Sequence, residues 1–409
     1  MSELISPRIY VGAGGSGRRM VALLKQAVES DPMLTPDQKR AFQFLAVDAD
    51  AYQNDCKPLD PHSEYVHIAG FRPAPARQAD YLKEAVHDWW YDSYTPPYVQ
   101  QGAGAVRLIG RLCYFYHFPR IKDAFQQAVQ RATVYGAGRQ VAGEMTVYII
   151  GSLAGGTGSS MMLDLAHMAR RSGNYRQVYV NSVILLPDVF TVTHVLSQQK
   201  FKDRWMANGY AALKELVYFN EHPREFKPLY RAANGREEPV EHPRMFDQCF
   251  FIEPVLGSTS TVENDDNMFR LAAQSVYLFS ASAHGSGAGS VLVNTDGIHY
   301  ASLGMQSIVY PREHVVAFAR HWGTARLLEQ ILPEQSDMAQ ERAVREQVSG
   351  DLQAAGMAQL EALGAQALAQ LTLPEPLEVD PEADIKAEAG RLADRYQGEM
   401  QTIAERLQA

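Results

Sequence analysis

The sequence predicts an α/β fold in which helices cover both faces of a parallel sheet. Short apolar runs rich in β-branched residues, typical of buried strands, alternate with amphipathic segments typical of helices. Two of the strand-to-helix junctions also carry glycine-rich loops. In parallel sheets, ligands bind outside the carboxyl ends of the strands, so we expect the binding residues at these junctions.

The most informative junction is residues 151–160, with the sequence Gly-Ser-Leu-Ala-Gly-Gly-Thr-Gly-Ser-Ser. It follows an apolar strand predicted over 145–150 and precedes a helix predicted over 161–171. Glycines allow close approach of a phosphate to the free N–H groups at a helix start, and Thr157 and Ser159 add hydroxyl groups. A Walker loop would have a lysine where Ser159 stands. The pattern therefore favours a phosphate site of another class over a plain turn.

A second glycine-rich junction, Gly12-Ala-Gly-Gly-Ser-Gly17, lies between a strand predicted over 8–11 and a helix predicted over 18–28. Alone it matches the dinucleotide fingerprint, and Asp48 and Asp50 follow the next strand, where a dehydrogenase holds a ribose. A nicotinamide-dependent enzyme is therefore one interpretation. A dehydrogenase has one such phosphate loop, however, and this chain has two.

Several later segments add candidate residues. Gly102-Ala-Gly-Ala105 forms a third loop, followed by Arg107 and Arg111 as possible cationic donors to phosphate, or as solvated side chains. Strands are predicted over 178–186 and 249–252, and helices over 120–133, 200–218 and 264–283. Residues 221–244 are rich in proline and charge and are predicted to be an insertion.

Composition excludes several classes of protein. A net charge of −9 argues against nucleic-acid binding, which needs a basic surface. Three widely spaced cysteines suggest neither a disulfide framework nor a zinc site. No apolar run approaches the ~20 residues of a membrane span, and no signal peptide is evident. We expect a cytoplasmic protein without a membrane anchor.

The string Ala154–Ser160 resembles the signature loop of the tubulin/FtsZ superfamily, usually written GGGTGSG or GGGTGTG, with Ala154 and Ser160 in place of the outer glycines. Gly12–Gly17 resembles the first nucleotide loop of the superfamily, and Asp48-Ala-Asp50 resembles the Asn-Thr-Asp of FtsZ. Gly102–Ala105 resembles the FtsZ loop that senses the terminal phosphate. Over roughly residues 8–300 the sequence is most similar to divergent bacterial tubulin-like proteins.

This resemblance implies a Rossmann-like domain that binds GTP or GDP with Mg²⁺, without direct protein ligands to the metal. Asp50 would lie near the phosphates and magnesium, Asp188 near the ribose, and Asn208, Asn264 and Asn267 near the base or ribose. The residues that the resemblance assigns to nucleotide binding are Gly12, Ala13, Gly14, Gly15, Ser16, Gly17, Asp48, Asp50, Gly102, Ala103, Gly104, Ala105, Ala154, Gly155, Gly156, Thr157, Gly158, Ser159, Asp188, Asn208, Asn264 and Asn267.

The resemblance also implies head-to-tail self-assembly and slow GTP hydrolysis by a loop that reaches the next subunit. Asn294 and Asp296 match the start of that catalytic loop, but His299 stands where its last acid is expected. Asp296-Gly297 is equally a hairpin signal between 290–293 and 298–302, which we favour. The alternative to a filament-forming GTPase is therefore a GTP-dependent interaction module that neither polymerises nor hydrolyses appreciably.

The predicted domain organisation has two parts. Residues 1–290 form the nucleotide-binding domain, with 221–244 inserted. Residues 291–409 form a divergent, reduced region in which a hairpin is followed mostly by helices. This region is a candidate for binding an unidentified protein partner.

Overall fold

The fold is described from a computed structural model of the chain. The described residues are 6–96, 98–136, 143–172, 175, 177–193, 199–231, 234–256, 260–261, 265–280 and 300–302. The chain divides into two units, residues 1–307 and 308–409, and all described residues belong to the first. The predicted domain boundary after residue 290 lies outside the described residues.

Strands and helices alternate through most of the described chain. In order, the elements are β1 Arg8–Ala13, α1 Gly14–Ser30, α2 Pro36–Lys39, β2 Phe42–Asp48, β3 Tyr65–His67, α3 Pro73–Gln78, α4 Asp80–His87, α5 Arg107–Gly136, β4 Glu144–Ser152, α6 Gly158–Arg170, β5 Gln177–Leu185, α7 Asp188–Thr193, α8 Gln199–Glu221, β6 Gln248–Ile252, β7 Val255–Leu256, β8 Ser260–Thr261, α9 Asp265–Ser280 and β9 Tyr300–Ser302. Short 3₁₀ turns cover Asn54–Cys56 and Pro223–Glu225.

The main sheet has seven strands in the order β3-β2-β1-β4-β5-β6-β9. Every neighbouring pair in it is parallel. β7 and β8 form a separate antiparallel pair. The predicted α/β, Rossmann-like fold class is therefore confirmed.

The two faces of the sheet bury separate hydrophobic clusters. On β1, Ile9 and Val11 join the cluster that contains residues of α3 to α6 and α8. Tyr10, which points to the other face, joins the cluster that contains residues of α1 and α9. This alternation is the period of a strand buried on both sides.

Aromatic side chains connect three neighbouring strands beneath α1 and α9. Tyr10 stacks on Phe44 of β2 and Tyr148 of β4, with ring centroids 5.5 and 5.3 Å away. The Tyr10 hydroxyl hydrogen-bonds with the Ser280 hydroxyl at the end of α9, at 2.9 Å. These contacts fix α9 over the centre of the sheet.

The helix predicted over 120–133 begins much earlier, at Arg107. Its first half contains Gly110 and Pro119, residues that usually interrupt helices. Tertiary packing overrides this preference, since Leu112, Tyr114 and neighbouring side chains are fully buried against the sheet. As a result, α5 starts directly after the third loop.

The predicted insertion packs into the core rather than standing apart from it. Phe226, Tyr230 and Val240 are all buried. The Tyr230 ring stacks on Phe118 of α5 with ring centroids 4.1 Å apart, and its hydroxyl donates to Asp164 of α6.

The predicted hairpin is only partly within the described residues. Tyr300–Ser302 forms β9, which pairs in parallel with β6. Residues 290–299, which include Asn294 and Asp296, lie outside the described residues. The three cysteines are free and buried. None of the described helices is both long and apolar enough to cross a membrane.

Candidate functional site

The first and signature loops meet where the strand order reverses, between β1 and β4. α1 begins after β1 at Gly14, and α6 begins after the signature loop at Gly158. A β-carbon on Gly14 would lie 2.7 Å from the Gly158 nitrogen, and one on Gly158 would lie 2.6 Å from the Ala13 oxygen. Two helix N-termini therefore converge at the switch point of the sheet, which is the usual ligand position in this fold class.

Both of these helix starts lack the usual side-chain caps. Ala13 and Thr157 occupy the N-cap positions and accept no hydrogen bond from the helix with their side chains. Neither first turn contains an acidic residue. The free N–H groups and positive helix ends are therefore available to an anion.

The first loop is more compact than the sequence predicts, because β1 runs to Ala13 and Gly14–Gly17 form the first turn of α1. A β-carbon on Gly12 would lie 2.5 Å from the Gly17 oxygen. One on Gly17 would lie 2.3 Å from the Ile150 oxygen of β4. Glycine at both positions thus allows α1 to start directly against the sheet.

The signature loop packs equally closely against the third loop and α5. A β-carbon on Gly156 would lie 2.5 Å from the Val106 nitrogen, and one on Gly110 would lie 2.2 Å from the Gly156 oxygen. The Ser159 hydroxyl donates to the Gly155 oxygen, and the Ser160 hydroxyl donates to the Thr157 oxygen. These two hydrogen bonds hold the loop in shape, and the predicted role of Ser159 in nucleotide binding stays a prediction.

The third loop also touches the turn Asp48-Ala-Asp50 at the end of β2. The Gly102 N–H donates to the Ala49 oxygen at 3.1 Å. Gly102, Gly104 and Ala105 all have positive φ values of 64°, 56° and 57°, the left-handed region. A β-carbon on Gly102 would lie 3.0 Å from Asp50 Oδ1. Asp50 is therefore adjacent to the loop that resembles a phosphate sensor.

The first, third and signature loops each contain one glycine whose β-position is open, unlike the glycines that make close contacts. β-Carbons on Gly104 and Gly155 would meet no protein atom within 4 Å, and one on Gly15 would meet only Asp48 Oδ2, at 3.9 Å. Side chains at these positions would extend into space that the described residues leave open. The three glycines define the phosphate cradle, the name used below for Gly15, Gly104 and Gly155.

Asp48 lies beneath the cradle in an ion pair with Arg18 of α1. The Asp48 carboxylate is nearly inaccessible, and burial raises its pKa to about 7, with the charge of Asp50 adding to the shift and Arg18 opposing it. Asp48 Oδ2 receives no well-aligned hydrogen bond from any described residue. Among these residues, this buried acid oxygen has only the ion pair with Arg18, so a further cation would satisfy it.

Helix α8 is tied to the third and signature loops by three side chains. Asn208 Nδ2 donates to the Ala105 oxygen and the Ala154 oxygen, both at 2.9 Å. Arg204 donates to the Gly104 oxygen at 3.1 Å. Glu215 pairs with Arg107, which also donates to the Ser159 oxygen at 3.2 Å.

The remaining predicted residues fall into two groups. Asp188 begins α7, and Asn267 lies in the first turn of α9; both are exposed. Asn264, Asn294 and Asp296 lie outside the described residues. The assigned roles of all five in nucleotide binding or catalysis stay predictions.

Sequence analysis missed residues that support the site from behind. Arg18 is buried and connects Asp48 to Asp55 and the Ala51 oxygen, yet it lies among ordinary helix residues in the sequence. Gly110 follows the third loop in the sequence, but no local pattern indicates that it packs against the Gly156 oxygen. Arg204 offered no signal beyond its charge.

Among the described residues, no group of three or more histidine, cysteine or acidic side chains is placed to hold a metal ion. The fit to a magnesium-nucleotide rests instead on the two uncapped helix starts, the phosphate cradle and the acid oxygens of Asp48 and Asp50. These groups are of the right chemistry for a phosphate chain and a hard cation.

The family assignment follows from the sequence profile described as "Tubulin like", which matches residues 9–331. This chain belongs to the tubulin-like family. It is a divergent member of the tubulin/FtsZ superfamily. No curated protein sequence is significantly similar to it.

Solved structures similar to this tubulin-like protein share little sequence with it. CetZ2 from Haloferax volcanii, in a GTPγS-bound protofilament, is 14% identical, with 72% of this chain and 64% of that chain covered and a TM-score of 0.41. An empty FtsZ dimer from M. jannaschii is 14% identical, covering 76% and 58%, with a TM-score of 0.37. TubZ from Clostridium botulinum phage c-st is 12% identical, covering 66% and 59%, with a TM-score of 0.34. The chain spans between 58% and 64% of the lengths of these relatives.

Proposed function

We propose that this tubulin-like protein binds GTP or GDP, with Mg²⁺, at the phosphate cradle. The observation that carries the proposal is the convergence of two uncapped helix N-termini beside three glycines whose β-positions meet almost no protein atoms. The choice of guanine nucleotide rests on family membership and on the resemblance of the four loops. A dehydrogenase would need only one glycine-rich phosphate loop at a helix start, and this chain has two.

Each part of the site has a distinct role in this proposal. The N–H groups in the first turns of α1 and α6 bind the phosphate oxygens, and the third loop closes over the terminal phosphate. Magnesium would neutralise phosphate charge, and Asp50 is the residue that would lie near it. Asp188, Asn264 and Asn267 remain candidates for contacts with the ribose and base.

We further propose that the protein assembles head to tail, as the resemblance to the tubulin/FtsZ superfamily implies. In this proposal, GTP hydrolysis is slower than hydrolysis by the catalytic loop of the tubulin/FtsZ superfamily, or absent. The family follows its catalytic loop with a helix of about three turns. Here Tyr300 already begins β9, so only residues 297–299 separate Asp296 from a strand. This spacing favours the alternative of a nucleotide-dependent interaction module. The buried free cysteines are consistent with the cytoplasmic location that we expect.

Calorimetric titration of GTP, GDP, ATP and NADH in the presence of Mg²⁺ tests the ligand assignment. We expect saturable binding of GTP and GDP, with weaker ATP binding and no heat from NADH. Binding of NADH in preference to GTP would replace this proposal with the dehydrogenase interpretation.

Light scattering and phosphate release with GTP then separate the two forms of the proposal. A filament-forming GTPase would scatter light and release phosphate in a concentration-dependent way. An interaction module would bind GTP without either signal.

A further inference from the structure

A cavity of about 150 Å³ lies between α5, α6 and α8, outside the phosphate cradle. One wall is apolar and consists of Leu153, Met162, Leu216, Phe219 and Phe226. Phe226 comes from the segment predicted to be an insertion, which therefore forms part of the wall. A cavity of this volume is large enough for a molecule of about benzene size.

The acidic groups of the polar wall already have partners. Glu215 is paired with Arg107. Asp164 is buried, and its Oδ1 accepts a hydrogen bond from the Tyr230 hydroxyl at 2.9 Å. Burial raises the pKa of Asp164 to about 6. Both carboxylates therefore have a partner within the chain.

Arg111, the remaining charged residue of the wall, attracts the Asp164 carboxylate, since its charge opposes the effect of burial on the pKa of Asp164. Its guanidinium forms no hydrogen bond and no ion pair with any described residue, and its Nε is shielded from solvent. It lies over the rings of Trp89 and Phe115, 5.2 and 5.4 Å from their centroids. Ring contacts hold the guanidinium in place, and its shielded Nε has no acceptor among the described residues. Such a group at a cavity wall points to an acceptor that the chain itself does not supply.

We propose that this cavity binds a small organic carboxylate with an apolar body. The carboxylate accepts from Arg111, whose planar fork matches two oxygens, and the body packs against Leu216, Phe219 and Phe226. A single positive charge is complementary to a single negative one. Arg111 offers donors to one carboxylate, whereas a second anionic group on the ligand would meet the apolar wall or the acids Asp164 and Glu215, so the class is a monoanion.

The site is independent of the proposed nucleotide site, although the two are neighbours. Ser159 lines the cavity, and its backbone oxygen accepts from Arg107, the partner of Glu215. The proposal uses Arg111 and the apolar wall alone. Its test therefore needs no nucleotide, and failure of GTP binding would leave it standing.

The test is calorimetric titration of benzoate and of isovalerate into the nucleotide-free full chain at neutral pH, with inorganic phosphate as a third titrant. Wild type is compared with Arg111→Gln. Arg120→Gln is the matched control, because Arg120 is on the same helix but is exposed and donates to the His67 oxygen. We expect at least one carboxylate to bind, with affinity reduced ~10-fold or more by Arg111→Gln and unchanged by Arg120→Gln.

Arg111→Lys covers the case in which Arg111→Gln does not fold. It keeps the charge but loses the planar fork, so carboxylate affinity should still fall severalfold. The proposal is overturned by the absence of carboxylate binding at millimolar concentration, by equal affinity in wild type and the folded Arg111 variants, or by phosphate binding that Arg111→Gln weakens as much as it weakens carboxylate binding.

Discussion

Arg18 and Asp48 form an ion pair beneath the first loop, with Arg18 Nε 3.4 Å from Asp48 Oδ2. Their side chains are only 6% and 2% exposed. Asp48 stands where FtsZ has an asparagine, so the pair brings a buried acid to the phosphate side of the sheet. Because burial favours the protonated form, the pKa of Asp48 rises from 3.8 to about 7.

This shift predicts a pH dependence of stability. Between the unfolded pKa of 3.8 and the folded pKa of about 7, the folded protein holds a proton that the unfolded chain has lost. The stabilising contribution of this proton is complete below the unfolded pKa of 3.8 and is lost as the pH rises through the folded pKa of about 7. Relative to Asp48→Asn, the free energy of unfolding of wild type should fall by about 1 kcal/mol per pH unit in this window. Urea unfolding at a series of pH values measures the difference.

Asp55→Asn is the control for this comparison. Asp55 also pairs with Arg18, but its side chain is 34% exposed. The Asp55→Asn substitution removes one partner of Arg18 but leaves the buried Asp48 carboxylate in place. Parallel pH profiles for wild type and Asp48→Asn would contradict the assignment of a protonated Asp48.

The glycines of the signature loop should respond differently to substitution. Gly156→Ala places a β-carbon 2.5 Å from the Val106 nitrogen, so it should lower the free energy of unfolding by about 2 kcal/mol. Gly155→Ala meets no atom within 4 Å and should stay within about 0.5 kcal/mol of wild type. Chemical denaturation measures both, and equal losses would show that the loop packs differently.

Asn208 should act on nucleotide binding through the loops. Asn208→Ala removes the two hydrogen bonds to Ala105 and Ala154, which should cost about 2 kcal/mol of stability and increase amide exchange in the third loop. If the side chain only positions the loops, affinity for GTP and ITP should fall by the same factor. A selective loss of GTP affinity would instead support the contact with the base that the sequence suggests.

Tyr230→Phe tests whether the predicted insertion is part of the core. The variant leaves buried Asp164 without the hydroxyl donor, which should cost about 2 kcal/mol when the carboxylate is ionised. Since the pKa of Asp164 is about 6 and loss of the hydrogen bond raises it further, the destabilisation should be larger above that pH than below it. Thermal melts of wild type and Tyr230→Phe on both sides of this pH measure the difference in stability. A difference that does not depend on pH would indicate that only ring packing changed.

The fold was predictable where the local pattern and the tertiary structure agree. Buried strands followed by glycines and amphipathic helices indicated β1, β4, α1 and α6, and with them the position of the site. The start of α5 was missed because Gly110 and Pro119 disfavour a helix locally, and burial of the helix outweighs this preference.

The details of the site depend on contacts between distant segments, which one sequence does not reveal. No local pattern indicates that Asn208 donates to two loops, or that Arg111 faces a cavity behind the signature loop. The glycine motif likewise does not distinguish Gly156, which packs against Val106, from Gly155, which faces no protein atom. The three-dimensional arrangement makes that distinction.

The central claim is tested most directly by calorimetric titration of GTP with Mg²⁺ into wild type, Gly155→Val and Gly143→Val. Gly143 precedes β4, away from the phosphate cradle, and like Gly155 has no atom within 4 Å of its β-position. The account predicts GTP binding by wild type and Gly143→Val, and its loss in a folded Gly155→Val protein. Equal GTP affinity in all three proteins, or no binding by wild type, would contradict it.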